Sequence, residues 1–313
     1  MTQSPLARED VAPRGAVARA WSRFSGQSSA GKGAAYVSLG SLLLVVMAAV
    51  TKDLGARLPS FELNFFRNFV GFLFVLPVFA RDPGEPFRTK RPFMHFTRGA
   101  LGAAGNACFF WTITHMLLAD SMALQFSRPL FTIPLALVML GDAGNIRRTF
   151  VSIVGFAGVL LYARPFTAGF DPNAIVGAFG SFFGALVIIS IKQLSTTEKP
   201  RVIMFYYAFW NSALSLPLAL WAWIWPTPWE WPPLIFIGFL GIVGQGMITK
   251  GLTLGDATAL APLDYSRIVY AAALGYLLFG EIPGPWSLAG MALVVAASIY
   301  LVLTEKKRAK TAP

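Results

Sequence analysis

Ten apolar stretches run along the chain, at residues 35–54, 61–80, 92–114, 117–140, 146–164, 174–192, 202–225, 232–253, 257–280 and 286–304. Each is long enough to cross roughly 30 Å of hydrocarbon as a helix. The connections between them are short, and Gly, Pro or charge marks most of them. "RDPGEPFRTKRP" follows the second stretch and "WPTPWEWPP" the seventh. The pattern predicts an all-α integral membrane protein with ten transmembrane helices.

Charge refines this picture. The 313 residues are 55% hydrophobic and 13% charged, about half the charge of a soluble domain. A net charge of +11 would suggest nucleic acid in a soluble protein. Here its distribution follows the rule that cytoplasmic loops are rich in Lys and Arg. With the N-terminus inside, the cytoplasmic segments hold nineteen Lys and Arg, and the opposite loops hold only Lys52, Arg57 and Arg164. The expected location is therefore the inner membrane, multi-pass, with both termini cytoplasmic. Residues 1–34, with Arg8, Arg14, Arg19, Arg23 and Lys32, and residues 305–313 read as cytoplasmic tails. Trp221, Trp223, Trp225, Trp229 and Trp231 then fall at the outer interface, where indoles prefer to sit.

The chain also resembles itself. "LADSMAL" at 118–124 matches "LGDATAL" at 254–260, and "SRPLFTIPLALVMLGD" at 127–142 matches "SRIVYAAALGYLLFGE" at 266–281. Arg128 and Arg267 stand 139 residues apart, as do Asp142 and Glu281. The fourth and fifth spans thus correspond to the ninth and tenth. Two repeats follow, 35–164 and 174–304, each with five spans. An odd number of spans makes the second repeat enter the membrane from the opposite side. Inverted repeats are a signature of secondary transporters, which hold their solute near the midplane.

The same segments resemble a known family. "ELNFFRNFVG" in the second span, "SRPLFTIPLALVMLGD" closing the fourth and "DYSRIVYAAALGYLLFGE" closing the ninth are similar to the EamA-type transporters of the drug/metabolite transporter superfamily. The resemblance spans about residues 35–304. It implies a ten-helix carrier working by alternating access, its cavity framed by spans one to four and six to nine. It does not fix a substrate.

Polar groups inside apolar spans are costly and mark function. Arg67 and Arg98 lie near span ends, from which a long side chain can reach the headgroups. Arg67 has Asn64 and Asn68 beside it, which favours an inward polar face. Arg128 and Arg267 lie about ten residues from either end of their spans, where a charge costs roughly 2.5–3.5 kcal/mol. Asp264 is the one carboxylate deep in a span, three residues before Arg267 and so on the same helix face. Two readings stay open. In one, Asp264 neutralises one arginine and carbonyls freed by Pro129, Pro134 and Pro262 satisfy the other, giving polar glue. In the other, the arginines bind an anionic group of the solute. The rest of the candidate site is Gln125, Tyr265, Tyr270, Asn106, Trp111, Tyr206, Asn211 and Gln245, with Tyr207 next to Tyr206. Aromatics with amide donors suit a ring-bearing or carboxylated metabolite.

Other classes lack support. One cysteine, Cys108, and the distant His95 and His115 make no metal site. Glycines in "RGALGAAGNA", at Gly180 and Gly184, and in "GFLGIVGQG" allow close helix packing and miss the dinucleotide pattern. No nucleophile–base constellation or nucleotide-hydrolysis motif is present, so neither an enzyme nor a cofactor is expected. A proton cycle would have to use Asp264 or His115. The expected function is secondary transport of a small anionic or zwitterionic metabolite, such as an amino acid or cofactor-like compound. The alternatives are a membrane scaffold or sensor and a flippase for a lipid-linked substrate. Expected partners are the solute and membrane lipid, with no nucleic acid; a homodimer is left open.

Overall fold

The apolar runs make the helices, and glycines decide which of them meet. The computed structural model describes residues 29–79, 84, 88–140, 146–163, 171–194, 196–254 and 261–311, which contain helices and no strand. In chain order the helices are α1 Ser29–Leu54, α2 Ser60–Val75, α3 Pro92–His115, α4 Leu118–Gln125, α5 Arg128–Leu140 and α6 Ile146–Ala163. They continue with α7 Asn173–Leu194, α8 Pro200–Trp221, α9 Trp231–Leu254, α10 Ser266–Phe279 and α11 Pro285–Thr311. Segments Gly31–Leu54, Asn173–Leu194, Arg201–Trp221 and Trp231–Gly251 are long and apolar enough to cross a membrane. Most of the N-terminal tail, Arg81, the Gly141–Asp142 pair, Arg164 and most of "LGDATAL" lie outside the described residues.

Local chemistry sets the ends. α3 and α8 begin on Pro92 and Pro200, where the missing N–H costs nothing. α10 stops at Gly280, whose φ of 65° is left-handed; glycine takes that conformation without strain.

The fourth apolar stretch is two helices rather than one. α4 ends at Gln125, and Phe126 and Ser127 bond back to the carbonyls of Ala123 and Leu124. Pro129 has no N–H to offer the carbonyl of Gln125. α5 therefore starts afresh at Arg128. A short 3₁₀ segment, Ala261–Tyr265, containing Pro262, likewise precedes α10. Both midspan arginines thus stand in the first turn of a helix that follows a break.

α1 packs most extensively on α9, α2 on α8, α3 on α7 and α6 on α11, with α10 against α4 and α1. A Cβ at Gly40 would stand 2.7 Å from the carbonyl oxygen of Gly244, and one at Gly251 would stand 2.8 Å from that of Gly33. These backbones touch because the residues are small. Gly40→Val forces two main chains apart, so it should lower stability by about 1–3 kcal/mol. The check is the thermal melting of purified protein; an unchanged melting point contradicts the packing. Leu44, Met47, Leu54, Leu63, Phe66, Phe110, Leu234 and Ile237 form the core between α1, α2, α3 and α9. Outside, Phe93, Val138, Phe150, Val269 and Leu277 are exposed, as lipid-facing residues are.

One end of the bundle gathers four connections through ion pairs. Arg57, between α1 and α2, donates through Nε to Glu230 Oε1 at 2.6 Å, through Nη2 to Glu230 Oε2, and to the carbonyl of Trp225 at 3.3 Å. Glu230 also accepts from Thr227 N at 2.6 Å and Oγ1 at 2.8 Å. Lys52 pairs with Glu281 at 2.6 Å, and Glu281 accepts the Leu118 N–H at 2.7 Å at the start of α4. The Arg57 guanidinium holds the Glu230 carboxyl down at about 2. Its folded value lies below its unfolded one, so its contribution is present above about pH 4.5 and lost as the pH falls toward about 2. Melting points should fall over that window, and the fall should shrink in Glu230→Gln. Equal slopes would contradict the pairing.

Candidate solute-binding site

The breaks before α5 and α10 bring their arginines into one polar region. Asp264, in the 3₁₀ segment, pairs with Arg267 Nε at 2.7 Å. It also accepts the hydroxyl of Ser41, a fully buried residue of α1, at 2.6 Å. Arg267 is therefore neutralised locally. Arg128 is not. Its Nη2 donates to the neutral Gln125 Oε1 at 3.3 Å, and its Nε is buried with no hydrogen-bond partner. Arg267, Asp264 and Tyr207 lie within electrostatic reach of it.

Arg128 lines a small cleft with Gln125, Ser121, Thr112, Gly105 and Gly180. Its guanidinium lies on Gly184 of α7, where a Cβ would run into Nε and Cζ. The absent side chain leaves the arginine its place. Gly184→Ala pushes only the end of a flexible side chain, so the fold should survive. A displaced guanidinium should lower transport roughly tenfold or more, measured against wild type at equal incorporation. Normal transport would mean that the position of Arg128 is immaterial.

A second polar group adjoins it. Arg67 Nη1 donates to Asn68 Oδ1 at 2.9 Å, and Asn68 Nδ2 donates to Asn64 Oδ1 at 2.9 Å. Asn106 Nδ2 reaches Asn211 Oδ1 at 2.9 Å, the Tyr207 hydroxyl at 3.3 Å and Asn68 Oδ1 at 3.5 Å. Arg98 lies over the Tyr207 ring, 4.4 Å from its centre, as a cation over a π face. Tyr207 thus joins the amide network on α2, α3 and α8 to the cleft beside Arg128.

Some expected residues fall together and others do not. Arg128, Arg267, Asp264 and Gln125 are brought together, with Tyr265 packed on Phe126 at 4.5 Å between ring centres. Arg67, Asn106 and Asn211 share the amide network. Tyr206 points elsewhere, stacking on His95 at 4.4 Å; one residue along a helix turns a side chain by about 100°, and Tyr207 takes the inward place. Trp111 donates to Asn173 at 2.8 Å and stacks on His115, away from the arginines. Tyr270 packs into the apolar cluster of Val45, Ala48 and Ala271. Gln245 is exposed. Two other carboxylates are buried, Glu62 in the first turn of α2 and Asp120 in the first turn of α4, whereas Asp264 keeps some solvent contact. Ser41 was not singled out, and Gly184 was read only as a packing glycine; a serine or glycine in an apolar helix carries no signal of what it faces. No group of three His, Cys, Asp or Glu that could hold a metal ion occurs among the described residues.

A helical bundle with long apolar spans, lipid-type exposed surface and a buried charged cluster defines a multi-pass membrane protein built around a polar interior. The EamA-like transporter family model matches residues 31–164 and again 172–304, and the chain belongs to that family. An S-adenosylmethionine uptake transporter of Rickettsia felis is 31% identical, over 82% of this chain and 88% of that protein. The pseudopaline exporter CntI of Pseudomonas aeruginosa is 31% identical, over 86% of this chain and 95% of the other. A riboflavin transporter of Brucella anthropi is 27% identical, over 82% and 92%. A solved crystal structure with 20% identity aligns with a TM-score of 0.57, covering 90% of this chain and 99% of that one; it shares the fold. Family and relatives are named as transporters, not enzymes.

Proposed function

We propose that this protein is a secondary carrier that moves a small anionic or zwitterionic metabolite across the inner membrane by alternating access. The observation that carries this reading is the buried Arg128, whose guanidinium pairs with no carboxylate among the described residues and whose Nε has no hydrogen-bond partner. A permanent cation in a dry site is expensive unless a counter-ion arrives. A carboxylate or phosphate of the solute supplies it. Arg267, tuned by Asp264 and Ser41, faces it, and Tyr207, Asn106 and Asn211 offer a ring and amide contacts for the rest of the molecule. The relatives are named for S-adenosylmethionine, pseudopaline and riboflavin, which supports a small-metabolite solute.

In this reading the ten apolar stretches are ten transmembrane helices forming two inverted five-helix repeats, 35–164 and 174–304. The helix contacts support it. Exchanging the repeats turns the α1–α9 pair into the α7–α3 pair, while α2–α8 and α6–α11 map onto themselves, and each of these pairs is in contact. Both termini are cytoplasmic, which places the Arg57 and Lys52 ion pairs on the outer face. The cleft at Arg128 is too small for a metabolite, so the solute enters as the repeats move apart.

The test is a thermal-shift screen of the purified protein against S-adenosylmethionine, riboflavin and a panel of carboxylated and zwitterionic metabolites. Counterflow in proteoliposomes with the stabilising compounds follows. Stabilisation by an anionic or zwitterionic compound that is also transported is expected. Binding without flux for every compound would point to a sensor and overturn the carrier reading.

A further inference from the structure

Glu62 is a buried carboxyl that the solute site does not use. Its Oε2 accepts the Ile224 N–H at 3.0 Å, and its Oε1 is buried with no hydrogen-bond partner. Two charged groups face it, Arg57 from the α1–α2 loop and Glu230 from the α8–α9 loop. The core at this end, with Leu54, Leu58, Leu63, Phe66 and Leu234, is apolar. Arg57 is already engaged by both oxygens of Glu230. One guanidinium therefore stands between two carboxyls and satisfies one of them. An ionised carboxylate with an unpaired oxygen in a dry site is costly, and a neutral one much less so.

The connections that meet here belong to different repeats. Arg57 ties the α1–α2 loop to Glu230 and to the carbonyl of Trp225, while Glu62 holds the same 222–230 segment through Ile224. Whatever moves Arg57 from one carboxyl to the other loosens the outer contact between the repeats.

We propose that Glu62 is a proton-binding site that works this outer latch. Protonated, it leaves Arg57 on Glu230, and the outer face stays shut. When Glu62 releases its proton to the outer solution, its carboxylate competes for Arg57 and draws it from Glu230. The 222–230 segment then loses its tie through Glu230 and keeps only the Ile224 N–H bond to Glu62. Glu230, partly exposed and still accepting from Thr227, keeps its charge without the partner. Neither group expected from sequence to carry a proton fits as well: His115 is exposed, and Asp264 is committed to Arg267 and Ser41.

The experiment is hydrogen–deuterium exchange of the full-length protein in nanodiscs, read on residues 222–230 as protection factors corrected for intrinsic exchange. In wild type, protection should fall about tenfold as the pH rises from mildly acidic to mildly alkaline. Glu62→Gln, neutral at every pH, should stay protected throughout. Glu230→Gln, which removes the latch partner, should be unprotected at both ends. Glu62→Asp should keep a response with a shifted midpoint. Protection independent of pH in wild type, an undiminished response in Glu62→Gln, or an unchanged midpoint in Glu62→Asp would each overturn the proposal. The readout needs no solute, so it fails or stands apart from the carrier reading.

Discussion

Arg128→Gln is expected to abolish transport while leaving the protein as stable as wild type, or more so. The two effects have one cause. Arg128 is a charged group with a buried, unpartnered Nε, and a charge at midspan depth costs roughly 2.5–3.5 kcal/mol. Glutamine keeps a hydrogen-bonding head near Gln125 and Gly184 and removes that cost. It also removes the counter-charge for the solute. Losing one partner of a buried charge pair costs about 2–5 kcal/mol of binding, which is roughly thirtyfold or more in affinity. Melting curves and proteoliposome uptake on the same preparation separate the readings. If Arg128 were structural glue, melting would fall and the transport of folded protein would persist.

Asp264→Ala is expected to do the opposite to stability. Its carboxylate holds Arg267 at 2.7 Å and accepts from Ser41 at 2.6 Å. Removing it leaves a partly buried guanidinium uncompensated. Breaking a fully buried pair costs about 3–5 kcal/mol; both side chains keep some solvent contact, so about 1–3 kcal/mol is expected here after allowing for screening. Uptake should fall as well, because the freed Arg267 no longer holds its place opposite Arg128. The double variant Asp264→Ala/Arg267→Gln should recover most of the melting point and none of the transport. Wild-type melting in Asp264→Ala would show that the pair carries no load.

The helical class was legible because ten apolar runs of membrane length leave few other folds. Arg128, Arg267 and Asp264 were legible as a group because charge is rare in such runs and the serine-arginine pair is duplicated. What the sequence left open was which arginine Asp264 satisfies. Spacing allowed Arg267 on the same helix face or Arg128 across the interface. The geometry selects Arg267, because α10 begins just after the 3₁₀ turn that carries Asp264. The break after Gln125 was signalled by Pro129, although an apolar run by itself reads as one continuous helix. Tyr206 against Tyr207 could not be decided, since both lie on an apolar helix with no strong polar face. Ser41 carries no sequence signal and Gly184 only that of a packing glycine, because their partners, Asp264 and Arg128, lie more than fifty residues away. Glu62 was hidden by its place near a span end, where a carboxylate ordinarily reaches water.

Arg128 awaiting an anion is the central claim, and a structure of the protein with a transported solute bound tests it most directly. The account predicts a carboxylate or phosphate oxygen of that solute within hydrogen-bond distance of Arg128 Nε, with Asp264 still on Arg267. A solute seated elsewhere, with Arg128 Nε still unpaired or bonded to a protein carboxylate, would contradict it.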